Sequence, residues 1–167
     1  MFLEGDIVCI TGLHNTGKTL LARYLAKTIN KNYIYIDFIH ISYEKLDELY
    51  NTNKNTHIVI IFDNFVELKN NKNRMDLFFN NNKLTLIFVL NYISNFIISK
   101  ADILFFSKIN QKNILNSYYK HIYKYCKINK QNLYFNIHKL KKNGFLCVDK
   151  DNLYTNNVEE EIIKIEY

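Results

Sequence analysis

The chain of 167 residues contains no proline, no tryptophan, only four glycines, and only two arginines, Arg23 and Arg74, among its 22 basic residues. Asparagine and lysine are abundant instead, a bias typical of AT-rich coding sequence that reduces the weight of any single Asn or Lys. No segment rich in Pro, Gly or Ser marks a linker. Two arginines cannot build the arginine-rich lid with which a small-molecule or nucleotide kinase holds a second phosphate group, so a kinase is disfavoured.

The sequence also lacks the motifs that indicate zinc binding, thiol redox chemistry or a membrane span. The three cysteines, Cys9, Cys126 and Cys147, form no C-x-x-C pair, and we expect them to be reduced core residues. The longest apolar runs, "IVIIF" and "LIFVL", are far shorter than the ~20 residues of a membrane span. The N-terminus is acidic and contains no apolar run, so it is no signal peptide. We therefore expect a soluble intracellular protein.

Apolar periodicity predicts that strands and helices alternate. Strands are expected at 6–11, 32–38, 57–63, 84–91 and 101–106, with a further strand-like run at 144–149. Helices are expected at 18–29, at 42–50, within 70–81, and in one or two pieces over 110–142. Near-continuous apolar strands such as "HIVIIFD" are typical of a parallel sheet covered on both faces. We predict an α/β fold of three layers with a central, mostly parallel sheet, in a single domain spanning residues 1–167.

Two of the four glycines lie in "GLHNTGKT", which matches the pattern G-x-x-x-x-G-K-S/T between the first strand and the first helix. In such a loop, main-chain N–H groups and the positive end of the helix bind phosphate oxygens, and side chains at Gly12 or Gly17 would obstruct that path. Lys18 is expected to neutralise the β- and γ-phosphates, and the Thr19 hydroxyl to bind Mg²⁺. The pattern therefore predicts a P-loop that binds ATP and Mg²⁺ through Gly12, Leu13, His14, Asn15, Thr16, Gly17, Lys18, Thr19 and Leu20.

Polar residues follow two of the predicted strands. Asp63 ends "IVIIFD" and is expected to hold Mg²⁺ together with Thr19. The next position, where many ATPases carry a second carboxylate that orients or deprotonates the attacking water, is Asn64. An amide can orient water but cannot accept its proton, so we expect slow hydrolysis, a different base such as Glu67, or no hydrolysis. Asn91 ends "LIFVLN" and either reaches the γ-phosphate and its attacking water or simply ends the strand.

The two arginines are expected to differ in role. Arg74 is either an arginine finger that one subunit supplies to its neighbour or a solvated surface residue. Arg23, on the helix after the loop, is expected to be structural. The predicted catalytic residues are thus Lys18, Asp63, Asn64, Asn91 and Arg74.

The net charge of +6 is concentrated in the C-terminal third, where nine lysines and no acidic residue lie within 103–148. Lys120, Lys124 and Lys127 have the spacing of one helix face and are interleaved with tyrosines. Such a surface suits a nucleic-acid phosphate backbone, bound without sequence preference, although a merely solvated helix face has the same pattern. We expect the basic helical segment 110–142 to contact double-stranded DNA.

The order of these motifs resembles the FtsK/HerA-type genome-packaging ATPases of large DNA viruses, the poxvirus type, and of related virophages. The resemblance is carried by "GLHNTGKT" and Asp63, and more loosely by "LTLIFVLNY", "ILNSYYKHI" and "NGFLCVDKD". It implies a RecA-like P-loop fold of the ASCE division, assembled as a homo-oligomeric ring that moves DNA into a capsid. It also implies capsid proteins as partners and the host cytoplasm or the virion as the location. The family's second acid corresponds to Asn64, its sensor glutamine to Asn91, and the basic residue before its sensor strand to Lys83.

Two other functions stay open at this point. "GKTLLARYLA" also resembles the helices of AAA+ proteins, which favours an AAA+ or Rad51-like DNA-associated ATPase. The asparagine at position 64 favours a nucleotide-binding regulatory module with weak or no hydrolysis.

Overall fold

The computed structural model describes residues 5–66, 72–123, 129–141, 143–149 and 152–157. The strands are β1 (Ile7–Thr11), β2 (Tyr33–Asp37), β3 (Ile58–Asp63), β4 (Leu84–Leu90), β5 (Ile103–Ser107), β6 (Gly144–Asp149) and β7 (Asn152–Asn157). The helices are α1 (Lys18–Ile29), α2 (Tyr43–Asn53), α3 (Lys72–Phe79), α4 (Asn95–Ile98), α5 (Lys112–Ile122) and α6 (Lys130–Lys139), with a 3₁₀ turn at Phe38–His40. Every predicted strand and helix is present.

The strands form one seven-stranded sheet in the order β2-β3-β4-β1-β5-β6-β7. The first five strands in this order run parallel, whereas β6 and β7 pair antiparallel. The predicted central, mostly parallel sheet is therefore confirmed. β4 is inserted between β1 and β3, so the glycine loop, Asn91 and Asp63 follow three adjacent strands at the same carboxyl edge.

Alternation of side chains along each strand produces the three layers. On β1, Val8 and Ile10 pack against α1, where Leu25 is fully buried, whereas Ile7 and Cys9 face the opposite layer. All the other helices contribute to that second layer through buried residues, among them Leu46, Met75, Ile97, Leu115 and Leu133. The three-layer arrangement is confirmed. Of the cysteines, Cys9 and Cys147 are buried, and Cys126 lies outside the described residues.

Two elements escape the sequence prediction because they lack an apolar pattern. β7, "NLYTNN", is polar and joins the sheet edge through main-chain pairing with β6, which requires no apolar face. α4 is a single turn whose Ser94 cap accepts a hydrogen bond from the Ile97 N–H, and one turn is too short to show helical periodicity. None of the helices described has the length and apolar content needed to cross a membrane.

The basic segment 110–142 folds as two helices, α5 and α6, rather than one. Leu115 and Tyr118 are buried, as helical spacing predicts, and Lys120 is exposed. Lys124 and Lys127 lie outside the described residues, so the predicted lysine row is described only at Lys120.

Candidate active site

The glycine loop joins β1 to α1 along a path that side chains would obstruct. Gly17, the residue before α1, has a φ of 82°, in the left-handed region. A Cβ on Gly12, whose φ is 153°, would lie 1.8 Å from Oγ of the buried Ser107 at the end of β5. The first turn of α1 has neither a side-chain cap nor an acidic residue. Its N–H groups and the positive end of the helix dipole are therefore suited to bind an anion.

Lys18 is the first residue of α1 and its side chain is buried inside the loop. Its Nζ donates a hydrogen bond to the carbonyl oxygen of Leu13 at 2.5 Å, and the Thr16 hydroxyl donates to the same oxygen at 2.9 Å. Burial lowers the pKa of Lys18 to about 8, although the nearby Asp63 carboxylate acts in the opposite direction. A bound triphosphate would offer this ammonium group a charged acceptor in place of a neutral carbonyl.

Asp63, at the end of β3, is buried and accepts three hydrogen bonds. Its Oδ2 accepts from the Thr19 hydroxyl and from the Tyr35 hydroxyl, each at 2.7 Å, and its Oδ1 accepts from the Asn64 N–H at 2.9 Å. The two predicted magnesium ligands, Thr19 and Asp63, are thus in direct contact. Hydroxyl and carboxylate oxygens are the ligands that Mg²⁺ prefers, so this pair fits that ion.

Tyr35 and Arg23 support the Asp63 carboxylate from the side of β2 and α1. The guanidinium carbon of Arg23 lies 4.5 Å from the centroid of the Tyr35 ring. Burial, followed by the hydrogen bond to Asp63, raises the pKa of Tyr35 to about 12. Tyr35 therefore remains a neutral hydroxyl donor at physiological pH, and Arg23 has the structural contact that its position predicts.

Three polar side chains at the carboxyl ends of β2, β3 and β4 form a hydrogen-bonded chain. Asn91 Nδ2 donates to Asn64 Oδ1 at 3.3 Å, and Asn64 Nδ2 donates to Asp37 Oδ1 at 3.3 Å. Asn64 has a φ of 53°, in the left-handed region that asparagine tolerates better than most residues. The structure therefore brings together Asn64 and Asn91, and it adds Asp37 to them.

The polar side chains described above, other than those of Asp37, Tyr35, Arg23 and Ser107, surround a cleft of about 310 Å³ beside the loop. Its lining residues are His14, Asn15, Thr16, Gly17, Lys18, Thr19, Leu20, Asp63, Asn64, Val89 and Asn91. A slightly larger groove of about 360 Å³, lined mostly by apolar groups including Phe38 and Val66, contains neither the loop nor Asp63. We assign the candidate site to the smaller cleft, because the charged and polar groups converge there. Of the predicted loop ligands, only Gly12 and Leu13 are outside its lining.

Other residues discussed from the sequence are not brought to this cleft. Arg74 Nε lies 3.1 Å from Asp47 Oδ1, and its guanidinium carbon is 4.7 Å from the centroid of the Tyr43 ring. Its role as a finger for a neighbouring subunit stays a prediction. Lys83 precedes β4 and lies at the amino edge of the sheet, opposite the loop. Glu67 lies outside the described residues.

Asp37 and Tyr35 are the polar residues of this site that the sequence analysis misses. Asp37 has a signal, because it ends β2 as Asp63 ends β3, and the carboxyl ends of parallel strands meet at one edge. Tyr35 has none, since its contact with Asp63 exists only when β2 pairs with β3.

Comparison with known proteins supports this assignment. The family model of the ATPase family associated with various cellular activities (AAA) matches residues 8–117. A search of curated protein sequences finds no match. Among solved structures, the genome packaging NTPase B204 from Sulfolobus turreted icosahedral virus 2, in complex with AMP, superposes with a TM-score of 0.71 at 16% identity. That alignment covers 93% of this chain and 98% of the B204 chain.

Two further structures are similar to the same extent. The B204 complex with AMPPCP has a TM-score of 0.70 at 17% identity, with the same coverage of both chains. B204, the DNA-packaging ATPase from Sulfolobus turreted icosahedral virus, has a TM-score of 0.69 at 16% identity and covers 93% of this chain and 98% of its own. The TM-scores of 0.69 to 0.71 establish a shared fold, which confirms the P-loop NTPase fold implied by the resemblance to viral packaging ATPases.

The family match corresponds to the AAA+ resemblance of "GKTLLARYLA". It begins within β1 and continues through the loop, Asp63 and Asn91 into α5, so every residue of the cleft lies inside it. Because the match covers more than half of the chain, this protein belongs to the ATPase family associated with various cellular activities.

Proposed function

We propose that this ATPase moves double-stranded DNA during viral genome packaging. Binding of ATP with Mg²⁺ is supported above all by the 2.7 Å contact between the Thr19 hydroxyl and the Asp63 carboxylate beside the glycine loop. Movement of DNA is supported by the fold shared with the B204 packaging NTPases and by the basic surface of α5 and α6. The unit that acts is the single domain 1–167.

In this proposal the loop binds ATP through its main-chain N–H groups and the start of α1. Lys18 exchanges the Leu13 carbonyl for oxygens of the β- and γ-phosphates. Thr19 and Asp63 would hold Mg²⁺, which would neutralise part of the triphosphate charge. Asn91 and Asn64 orient the water that attacks the γ-phosphorus, and its proton passes to a γ-phosphate oxygen, since neither amide can accept it. The bond to the β,γ-bridging oxygen breaks, which releases ADP and inorganic phosphate.

The surface of α5 and α6 combines cations with aromatic rings. Among the described residues, the exposed lysines on α5, on α6 and just after α6 are Lys112, Lys120, Lys130, Lys139 and Lys141. Lys139 Nζ lies 3.9 Å from the centroid of the exposed Phe135 ring, and Lys130 Nζ lies 5.6 Å and 5.4 Å from the rings of Tyr119 and Tyr134. Ammonium groups bind phosphates as point charges, so this surface suits a DNA backbone and not a particular base sequence.

A short turn connects this surface to the glycine loop. Asn143, with a φ of 62°, lies between α6 and β6. Its Cβ is 3.7 Å from the position that a Cβ on Gly17 would occupy. A displacement of α6 by DNA would therefore reach the loop through the four residues between α6 and β6, the last of which is Asn143. This supports coupling between DNA contact and nucleotide turnover.

We also propose that the active assembly is a homo-oligomeric ring in which Arg74 acts on the nucleotide of a neighbouring subunit. The Arg74 side chain is 38% exposed, and its ion pair with Asp47 is at the surface, where such pairs contribute little. A neighbour could therefore compete for the guanidinium group. Capsid proteins are the further partners, and the host cytoplasm or the virion is the location.

The decisive experiment measures steady-state ATP hydrolysis with and without duplex DNA at low salt, for the wild type, Lys18→Ala and the control Lys27→Ala on the exposed face of α1. We expect turnover that DNA stimulates, that disappears in Lys18→Ala and that persists in Lys27→Ala. ATP binding without turnover under both conditions would support the regulatory module instead. Duplex DNA that neither binds nor stimulates would contradict the packaging function.

A further inference from the structure

Position 64, where many ATPases carry a second carboxylate, is an asparagine, but a carboxylate lies next to it at the end of the neighbouring strand β2. We propose that Asp37, at the end of β2, is a positioning residue for ATP hydrolysis, which holds Asn64 and, through it, Asn91. This inference deepens the proposed function and rests on the cleft being the site of hydrolysis.

The pairing of β2 with β3 places the Asp37 carboxylate beside the Asn64 side chain. Asp37 is in register with Asp63, because β2 pairs parallel with β3. Its Oδ1 accepts the 3.3 Å hydrogen bond from Asn64 Nδ2 and a longer one, 3.4 Å, from the Ile39 N–H at the start of the 3₁₀ turn. His40 Nε2 lies 3.9 Å from the other carboxylate oxygen. The carboxylate therefore has contacts within its own turn, to Ile39 and His40, in addition to the one with Asn64.

An ionised carboxylate can only accept hydrogen bonds, and this property sets the orientation of both amides. The NH₂ group of Asn64 must face Asp37, so its carbonyl oxygen must face Asn91, and the NH₂ group of Asn91 must then donate to that oxygen. Without such a constraint, each amide has two orientations of similar shape that exchange donor and acceptor. Asp37 thus selects which groups of Asn91 and Asn64 meet the attacking water.

Asp37 is not part of the cleft lining, whereas Asn64 and Asn91 are. It therefore acts through the amides and does not touch the reacting atoms. The alternative is a purely structural role, because the same carboxylate caps the 3₁₀ turn. The two roles differ in what they predict. A cap affects folding stability, whereas a positioning residue affects the rate of hydrolysis with little effect on ATP binding.

The test compares Asp37→Asn, Asn64→Asp and the double variant D37N/N64D, with Glu48→Gln on the exposed face of α2 as the control. Each variant is measured for turnover, for binding of a fluorescent ATP analogue and for melting temperature. We expect Asp37→Asn to lower kcat about tenfold or more while the Kd for the analogue changes less than about threefold. Asn64→Asp places a second carboxylate beside the first and is expected to lower the melting temperature, since like charges repel at this distance.

The double variant rebuilds the chain with donor and acceptor exchanged. The carboxylate introduced at position 64 accepts from Asn91 and from the amide introduced at position 37, so the orientation of Asn91 is kept. We expect turnover to return to about the wild-type rate, above both single variants, which is a recovery that independent structural losses would not produce.

Several results would overturn the inference while leaving the proposed function intact. Asp37→Asn with wild-type turnover is one, provided that Lys18→Ala is inactive. A double variant that regains stability without turnover is another, and it also decides the matter if Asp37→Asn fails to fold. If the wild type itself resembles Lys18→Ala, the proposed function fails first, and this inference fails with it.

Discussion

Lys18 is an ammonium group held inside a loop, where burial lowers its pKa to about 8. A triphosphate binds the protonated form more tightly. Below that pKa the free protein already carries the proton, so ATP affinity should not change with pH through this group. Above it, each binding event must take up a proton, and the Kd should rise by up to about tenfold per pH unit.

The measurement is a titration with a fluorescent ATP analogue between about pH 7 and about pH 9.5, for the wild type and for Lys18→Arg, whose guanidinium stays charged throughout. We expect the Kd of Lys18→Arg to be higher overall but independent of pH in this range. An equal rise of the Kd in both proteins would show that another group causes the dependence.

Gly12 shows the steric requirement of the loop at a single atom. A Cβ there would lie 1.8 Å from Ser107 Oγ and 2.6 Å from its Cβ, so Gly12→Ala should lower the free energy of unfolding by about 1–3 kcal/mol. Gly17→Ala is the matched control, because its nearest neighbour would be at 3.7 Å and only backbone strain would result.

Chemical denaturation of these variants combined with Ser107→Gly separates the two causes. Ser107→Gly removes the clashing atoms, so it should restore part of the stability of Gly12→Ala and none of that of Gly17→Ala. The steric explanation is wrong if Ser107→Gly lowers the stability of both variants equally.

Among the elements, the edge strand β2 supplies two side chains that hold residues of the site. Tyr35 donates a hydrogen bond to Asp63, and Asp37 accepts one from Asn64. Tyr35→Phe removes one of the three hydrogen bonds to the Asp63 carboxylate. We expect the Mg²⁺ concentration for half-maximal ATP hydrolysis to rise about tenfold, as is typical when a partner of a metal ligand is lost. Tyr33→Phe, on the same face of β2, should leave it unchanged, and an unchanged value in Tyr35→Phe would contradict the supporting role.

The α5 and α6 pair makes a different prediction, which concerns salt dependence. Lys130→Ala and Lys139→Ala should each weaken duplex binding for every sequence tested and reduce the slope of log K against log salt concentration by about one. Lys45→Ala, exposed on α2, is the control. Fluorescence anisotropy at several salt concentrations measures the slope. Slopes equal to the wild type in both variants would place the DNA elsewhere.

For the whole molecule, the ring hypothesis predicts complementation between inactive subunits. Arg74→Ala subunits keep an intact cleft, and Lys18→Ala subunits keep Arg74, so a mixture of the two should regain part of the ATP hydrolysis that each lacks. Asp47→Asn is the control, because it breaks the ion pair with Arg74 but keeps the guanidinium. A mixture that stays inactive, or a protein that remains monomeric with ATP and DNA, would rule out the finger.

The predictability of the fold depended on how local each signal is. The strand, glycine loop and helix around Lys18 are consecutive in the chain. The apolar run that ends in Asp63 indicates a strand buried on both faces. Each of these elements can therefore be predicted from its own residues. β7 does not, because its polar side chains carry no sign of the main-chain pairing with β6 that holds it. The arrangement of α5 and α6 as two helices was likewise left open by periodicity.

The sequence alone therefore predicts the glycine loop, Asp63 and the alternation of strands and helices, because each is a pattern of residues that are neighbours along the chain. The bonds from Tyr35 to Asp63, from Asn64 to Asp37 and from Asn91 to Asn64 join residues 27 or 28 positions apart. They arise from the strand order β2-β3-β4-β1, and main-chain hydrogen bonds between strands are alike for every side chain. Only the assembled sheet specifies which carboxylate meets which amide, and with it the second acid of the site.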